Sequence, residues 1–76
     1  MTREDWMENF GENLFDILCE RKIKQRELSE ITGIATSTIS DYINGKVMPS
    51  AEAIVKISYA IDVDYIDLLD FGDTID

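Results

Sequence analysis

The chain has 76 residues, enough for one domain, and its 45% hydrophobic and 30% charged residues exclude an intrinsically disordered protein. It has no histidine and one cysteine, Cys19, which excludes an internal disulfide and disfavours a structural zinc site. Its apolar runs are too short to cross a membrane, and its net charge of −9 has the wrong sign for a protein that binds a polyanion.

The charged residues are distributed unevenly along the chain. Residues 1–20 contain one base and six acids, and residues 57–76 contain six acids and no base. Residues 21–56 contain six bases and four acids, so a basic centre lies between two acidic flanks. The bases at 21–26 are either phosphate contacts or a solvated junction between helices.

The first predicted helix begins after Thr2, which resembles a capping box together with Asp5. Apolar residues then recur at steps of one, three and four, and most of the acids lie on another side. This pattern predicts an amphipathic helix that ends at about Arg21. Its apolar positions are Trp6, Met7, Phe10, Leu14, Ile17 and Leu18.

Two short helices separated by Gly33 are predicted next. Leu28 and Ile31 continue a helix that Gly33 ends, since glycine adopts the positive φ of a sharp turn without steric cost. The segment that follows is rich in Thr, Ser and Ile, which would also suit a strand, but its helical spacing and the Asn44-Gly45 stop favour a helix. Its apolar positions are Ile34, Ile39, Tyr42 and Ile43.

Two further helices complete the predicted all-α domain. Ser50 is a suitable N-cap for a fourth helix, and Asp64 is expected to cap a short fifth helix that runs through Leu69. An acidic tail follows from about residue 70 to residue 76. The expected buried positions are Ala53, Ile54, Ile57, Ala60 and Ile61 in the fourth helix, and Ile66 and Leu69 in the fifth.

The stretch from Phe10 to Leu69 resembles the Cro and lambda-repressor type of helix-turn-helix domain. The resemblance is carried by FGENL, by QRELSEITGIATSTISDYINGKVMPS and by AIVKISYAIDVDYIDLL. It implies that residues 1–76 form one compact five-helix, lambda-repressor-like domain, with the helix-turn-helix at helices 2 and 3, about residues 25–44. In such motifs the first helix of the pair lies across the DNA backbone and the second enters the major groove.

The resemblance makes Gln25–Thr32 the positioning helix and Thr36–Ile43 the recognition helix. Side chains at the start of the recognition helix and one turn later are then expected to face bases. The predicted base contacts are Thr36, Ser37, Ser40 and Asp41. The predicted phosphate contacts are Lys24, Gln25, Thr38, Asn44, the amide of Gly45, and Lys46.

Two departures from the family pattern bear on this interface. The family usually has a Ser or Thr N-cap where Lys24 and Ala35 stand. Both helices of the motif are therefore expected to lack a side-chain cap, and each missing cap lowers stability by about 1 kcal/mol. Basic residues are common in the family where Thr36 and Asp41 stand, so the predicted reading face is nearly neutral.

These features predict a cytoplasmic transcriptional regulator of phage or bacterial type, a repressor that binds double-stranded DNA sequence-specifically as a dimer on a two-fold symmetric operator. The alternative is an acidic protein-interaction module of the same fold, such as an anti-repressor or a polymerase-binding protein. We expect no enzyme, since no nucleophile has an obvious base, and no metal, cofactor, membrane or small-molecule ligand. The homodimer contact is expected at the last helix, near Tyr65, Leu68, Phe71 and Ile75.

Overall fold

A computed structural model describes residues 2–70, in which all regular secondary structure is helical. Helix α1 comprises Arg3–Arg21, α2 Gln25–Thr32, α3 Thr36–Ile43, α4 Ala51–Ala60 and α5 Tyr65–Leu69. The predicted five-helix architecture is confirmed, with the helix-turn-helix at α2 and α3. Within the described part of the chain, no helix has the length and apolar character that a membrane span requires.

The helix ends follow from the residues that flank them. The Thr2 hydroxyl accepts the Asp5 N–H at 3.0 Å, and the Asp5 carboxylate accepts the Thr2 N–H at 3.3 Å, which completes a capping box for α1. The Ser50 hydroxyl accepts the Ala53 N–H at 3.1 Å and caps α4. The C-cap of α1 is Lys22, whose φ of 58° is a left-handed conformation that turns the chain toward α2.

One hydrophobic core joins all five helices. Helix α1 packs against α3 and α5, and α2 packs against α3 and α4, so α1 and α2 hold α3 between them. The ring of Phe10 lies between Trp6, stacked at a centroid distance of 5.4 Å, and Tyr42, edge-on at 6.4 Å. The largest fully buried side chains are Phe10, Leu14, Leu28, Ile39, Ile57, Ile61 and Leu68.

Gly11 allows α1 to approach the C-terminal end of α3 very closely. A Cβ at this position would lie 2.5 Å from the carbonyl oxygen of Tyr42 and would also overlap the carbonyl group of Ile43. Because these neighbours are backbone atoms, they cannot move aside as a flexible side chain could. The absence of a side chain at Gly11 therefore fixes the end of α3 against α1.

The orientation of α5 corrects two predictions. Ile66, expected in the core, is 61% exposed, and Leu68, expected near a dimer contact, is 0% exposed. The side-chain amide of Asn13 in α1 donates to the Leu68 carbonyl at 2.6 Å and ties the end of α5 down in this orientation. Both predictions were wrong because four of the five residues of α5 are apolar, so their spacing sets no phase. Phe71, Ile75 and the tail beyond residue 70 lie outside the described residues.

Candidate nucleic-acid interface

The turn between α2 and α3 is held by two hydroxyl groups of α2. Gly33 has a φ of 77°, and its N–H donates to the Ser29 carbonyl at 2.8 Å. The Ser29 hydroxyl in turn donates to the Ile34 carbonyl at 2.6 Å. The Thr32 hydroxyl accepts the Ile34 N–H at 3.1 Å and donates to the Leu28 carbonyl at 2.7 Å. Both backbone polar groups of Ile34 are therefore bonded to side chains of α2.

The sequence predicted this turn through Gly33 but did not identify the roles of Ser29 and Thr32. Hydroxyl side chains near a helix end often bond to nearby backbone groups, and two of them three residues apart lie on one side of a helix. That spacing, directly before the glycine, was the available signal. The structure thus adds two residues, Ser29 and Thr32, whose hydroxyls bond to the backbone of the turn before α3.

The four predicted base contacts lie on one face of α3. Ile39 and Tyr42 are buried in the core on the other side. At about 100° per residue, the four positions span an arc of about 140° whose centre lies opposite these two buried residues. The face consists of Thr36 and Ser37, which are exposed, and Ser40 and Asp41, which are half-buried.

The C-terminal end of α3 is closed by hydrogen bonds among predicted contact residues. The Asn44 side-chain amide donates to the Ser40 carbonyl at 2.9 Å and lies 3.3 Å from the Ser40 hydroxyl. The Gly45 N–H donates to the Tyr42 carbonyl at 3.1 Å, so the amide assigned to a phosphate is already engaged in the free protein. Gly45 also has a steric role, because a Cβ there would lie 3.2 Å from the Glu8 Cα.

The expected lack of side-chain N-caps at α2 and α3 is confirmed. Neither Lys24 nor Ala35 makes a side-chain cap hydrogen bond. At α2 the Glu27 carboxylate accepts the Lys24 N–H at 2.9 Å and supplies half of a capping box. Helix α3 has no such substitute, and no side chain caps its first N–H groups.

The remaining predicted phosphate contacts differ in exposure. Gln25 and Thr38 are half-buried, whereas Lys24 and Lys46 are exposed. Among residues 2–70 a single ion pair occurs, within α4, between Lys56 and Glu52 at 3.2 Å. The basic side chains around the motif therefore have no carboxylate partner within the described chain and can meet phosphate. They are Arg21, Lys22, Lys24, Arg26 and Lys46, all exposed.

An acidic row runs along α1 beside one border of this interface. Every fourth residue from Glu4 to Glu20 is an exposed acid, and like charges at this spacing repel one another. Glu8 lies against Gly45, which brings the row next to the loop that follows α3. The members of this acidic row are Glu4, Glu8, Glu12, Asp16 and Glu20.

A shallow groove of about 370 Å³ lies where the acidic row meets the end of α3. Phe15 contributes an apolar side chain that is 47% exposed, beside the partly buried Ile43. Glu12, Asp16 and Asn44 complete the lining. The groove thus combines an apolar surface with acidic neighbours.

Comparisons with known proteins agree with the arrangement of α2 and α3. A family model described as Helix-turn-helix matches residues 14–68. The crystal structure of the restriction-modification controller protein C.AhdI from Aeromonas hydrophila superposes with a TM-score of 0.79 at 22% identity, over 82% of this chain and 94% of that chain. The clp gene regulator ClgR from C. glutamicum gives 0.80 at 22% identity, over 84% and 83%. No curated protein sequence matches significantly.

Proposed function

The chain belongs to the helix-turn-helix family, and from this membership we propose that it is a transcriptional regulator that binds double-stranded DNA sequence-specifically. The observation that carries the proposal is the polar face of α3, which lies opposite the buried Ile39 and Tyr42. A helix in this place in the motif enters the major groove. The two similar structures, described as a controller protein and a gene regulator, support a regulatory role.

Short side chains on α3 read the bases at close range in this proposal. The hydroxyls of Thr36, Ser37 and Ser40 bond to either base type, and the Thr36 methyl packs against a thymine methyl. Asp41 accepts from the N4 amino group of cytosine and disfavours positions where a phosphate comes near. The Asn44 amide lies 3.3 Å from the Ser40 hydroxyl and restricts its orientation.

Phosphate contacts flank this reading face on both sides. Lys24 and Gln25 stand at the start of α2, where the first-turn N–H groups add a partial positive charge. Thr38 lies at the edge of α3, and Lys46 extends from the loop after it. Asn44 and Gly45 lie at the end of α3. The Gly45 N–H, which donates to the Tyr42 carbonyl, also donates to a phosphate oxygen in this proposal.

A salt titration with charge variants tests the phosphate contacts. The logarithm of the DNA affinity falls with the logarithm of salt concentration at a slope of about −0.9 per phosphate contacted, so Lys24→Ala with Lys46→Ala is expected to reduce the slope by about 1.8. Lys56→Ala removes one equal charge from α4, where Lys56 is paired with Glu52, and is expected to leave the slope unchanged. No electrophoretic shift of any duplex at low salt by the folded protein would contradict DNA binding.

We further propose that the regulator acts as a repressor and as a dimer on a two-fold symmetric operator, since one small domain buries little surface on DNA. Tyr59, 84% exposed, lines two adjoining hollows, one with Val55 and Tyr65 and the other with Ile31. We propose this partly apolar surface, whose lining also includes Asp62 and Asp64, as the dimer contact in place of the buried Leu68. Sedimentation equilibrium is expected to give a dimer for the natural chain and a monomer for Tyr59→Asp. A dimer that survives this substitution would place the contact elsewhere.

The groove at Phe15 favours one second candidate function, the binding of a basic protein in place of DNA. An apolar surface beside Glu12 and Asp16 fits a cationic segment that carries one apolar anchor. Fluorescence anisotropy of a labelled Lys-rich peptide with one Phe tests this candidate. Binding is expected to be abolished in Phe15→Ser and kept in Tyr65→Ser, whose side chain is also about half exposed. Equal binding by both variants would argue against the groove.

A further inference from the structure

We propose that Ser29 and Thr32 are positioning residues that fix the orientation of α3 relative to α2, and that DNA specificity depends on this orientation. The consequence for specificity rests on the proposed DNA binding, whereas the effect on orientation concerns the free protein. We call the hydrogen bonds of Ser29 and Thr32 to Ile34 the hydroxyl clamp.

The hydroxyl clamp acts where the recognition helix is otherwise least supported. Three residues, Gly33 to Ala35, join α2 to α3, and Ala35 supplies no side-chain cap. Ile39 and Tyr42 anchor α3 in the core, but none of the three residues before Ile39 has a fully buried side chain. The start of α3 is therefore positioned mainly by the chain that enters it.

Both backbone polar groups of Ile34 are held within this connection. Its carbonyl accepts from Ser29 at 2.6 Å, and its N–H donates to Thr32 at 3.1 Å. The Thr32 hydroxyl donates to the Leu28 carbonyl at 2.7 Å, so the Ile34 N–H, the Thr32 hydroxyl and the Leu28 carbonyl form a continuous chain of hydrogen bonds. Linked bonds strengthen one another, and those of Thr32 are buried or partly buried, where water competes poorly. A movement of α3 that carries the backbone of Ile34 with it has to break at least one of them.

Loss of the hydroxyl clamp is expected to weaken base reading more than phosphate attraction. Base contacts from Thr36 and Ser37 require placement to about 0.5 Å, whereas a lysine attracts a phosphate over several ångströms. A loosened α3 should therefore keep most of its non-specific affinity and lose its preference for the operator. This pattern differs from simple destabilisation, which lowers both affinities together.

Ser29→Ala and Ser58→Ala form a matched pair for the test. The Ser58 hydroxyl donates to the Val55 carbonyl at 2.8 Å inside α4, so each variant removes one serine-to-carbonyl bond that is at least partly buried. Amide hydrogen exchange and inter-helix residual dipolar couplings are measured by NMR on the full free chain. We expect at least tenfold faster exchange at Thr38 and Ile39, whose N–H groups both donate to the Ala35 carbonyl, and an altered α2–α3 orientation in Ser29→Ala only. Unchanged exchange and couplings in Ser29→Ala would overturn the proposal.

The second part of the test measures DNA affinity for two duplexes. One is a duplex that the natural chain selects from a random pool, and the other is a random duplex that serves as the reference. The ratio of the two affinities is expected to fall about tenfold in Ser29→Ala and in Thr32→Val, and to stay unchanged in Ser58→Ala. Thr32→Ser keeps the hydroxyl and should restore the ratio. An unchanged ratio in both clamp variants would refute the role in specificity. Failure of the natural chain to bind any duplex would instead refute the proposed function, while the exchange data still decide the clamp.

Discussion

Gly11 occupies a helical position at which glycine ordinarily destabilises a protein by about 0.5–1 kcal/mol relative to alanine. Here the carbonyl oxygen of Tyr42 stands 2.5 Å from where a Cβ would be. Overpacking of a core typically costs about 1–3 kcal/mol, and backbone neighbours give way least readily. The steric term should therefore exceed the gain in helix propensity, and Gly11→Ala is expected to lower stability by about 1–3 kcal/mol.

Thermal unfolding followed by circular dichroism measures this effect. A loss of 1 kcal/mol lowers the melting temperature of a domain of this size by about 4–8 °C. Glu12→Ala, at the exposed next position of α1, is the control and should not lower stability, since it removes the like-charge repulsion of Glu12 by Glu8 and Asp16. If Gly11→Ala raised the melting temperature, helix propensity would outweigh packing and the close approach of α1 and α3 would be wrong.

Individual contacts were harder to predict than residue types. The sequence predicted the Gly45 amide as a phosphate contact but did not predict that it also donates to the Tyr42 carbonyl. Ser29 looked like any polar residue of an amphipathic helix, yet its hydroxyl reaches the Ile34 carbonyl. Both outcomes depend on backbone geometry after a helix end, which residue identity alone does not determine.

Helix α3, the proposed recognition helix, has no side-chain cap at its N-terminus. Ala35 has a ψ of 143°, an extended conformation that suits an N-cap, but its methyl group accepts no hydrogen bond. Ser at an N-cap stabilises a helix by about 0.5–2 kcal/mol relative to Ala. Ala35→Ser is therefore expected to raise the free energy of unfolding by about 1 kcal/mol.

Urea denaturation of Ala35→Ser and of Ala51→Ser tests this prediction. Ala51 follows Ser50, which already caps α4, so a second serine there gains no cap and costs about 0.5 kcal/mol in helix propensity. Opposite signs for the two variants are expected. A destabilised Ala35→Ser would mean that the turn cannot admit a hydroxyl at this position.

Helix boundaries could be predicted closely because they depend on local signals. Thr2, Gly33 and Ser50 each cap or end a helix through neighbours within four residues. The phase of α5 could not be predicted, since it depends on Asn13, more than fifty residues away, and on a helix too short to show a period. For that reason Ile66 is exposed although it was expected in the core, and Leu68 is buried although it was expected at the dimer contact.

Across the whole molecule, the opposing charges of the acidic row and the basic motif determine the balance between attraction and repulsion of DNA. Glu8 lies against Gly45, and at 0.1 M salt charges interact over about 10 Å, so the row is expected to repel any phosphate that comes near the loop after α3. We therefore expect the negative net charge to lower non-specific affinity while the proposed phosphate contacts of the motif persist.

Neutralising part of the acidic row should strengthen DNA binding. The triple variant Glu8→Gln, Glu12→Gln, Asp16→Asn is expected to bind a random duplex roughly threefold more tightly or better at low salt, and this gain should disappear at high salt. It should also be more stable, since like charges four residues apart cost about 0.2–0.5 kcal/mol per pair.

A second triple variant controls for the net charge. Asp62→Asn, Asp64→Asn and Asp67→Asn remove the same charge from the region of α5 and should raise the affinity less. Electrophoretic shifts at two salt concentrations compare the two sets. Equal gains would show that only net charge matters, and that the acidic row has no special place beside the interface.

Selection of bound sequences from a random duplex pool asks directly whether α3 reads base pairs. The natural chain is expected to enrich one two-fold symmetric site, with half-sites one helical turn apart, about 34–36 Å between centres. Replacing Thr36 and Ser37 by alanine should relax the preference at matching positions of each half-site, and each base that is no longer read should reduce discrimination by about 1–3 kcal/mol. A pool that remains random after repeated rounds with the folded protein would contradict the proposed DNA reader.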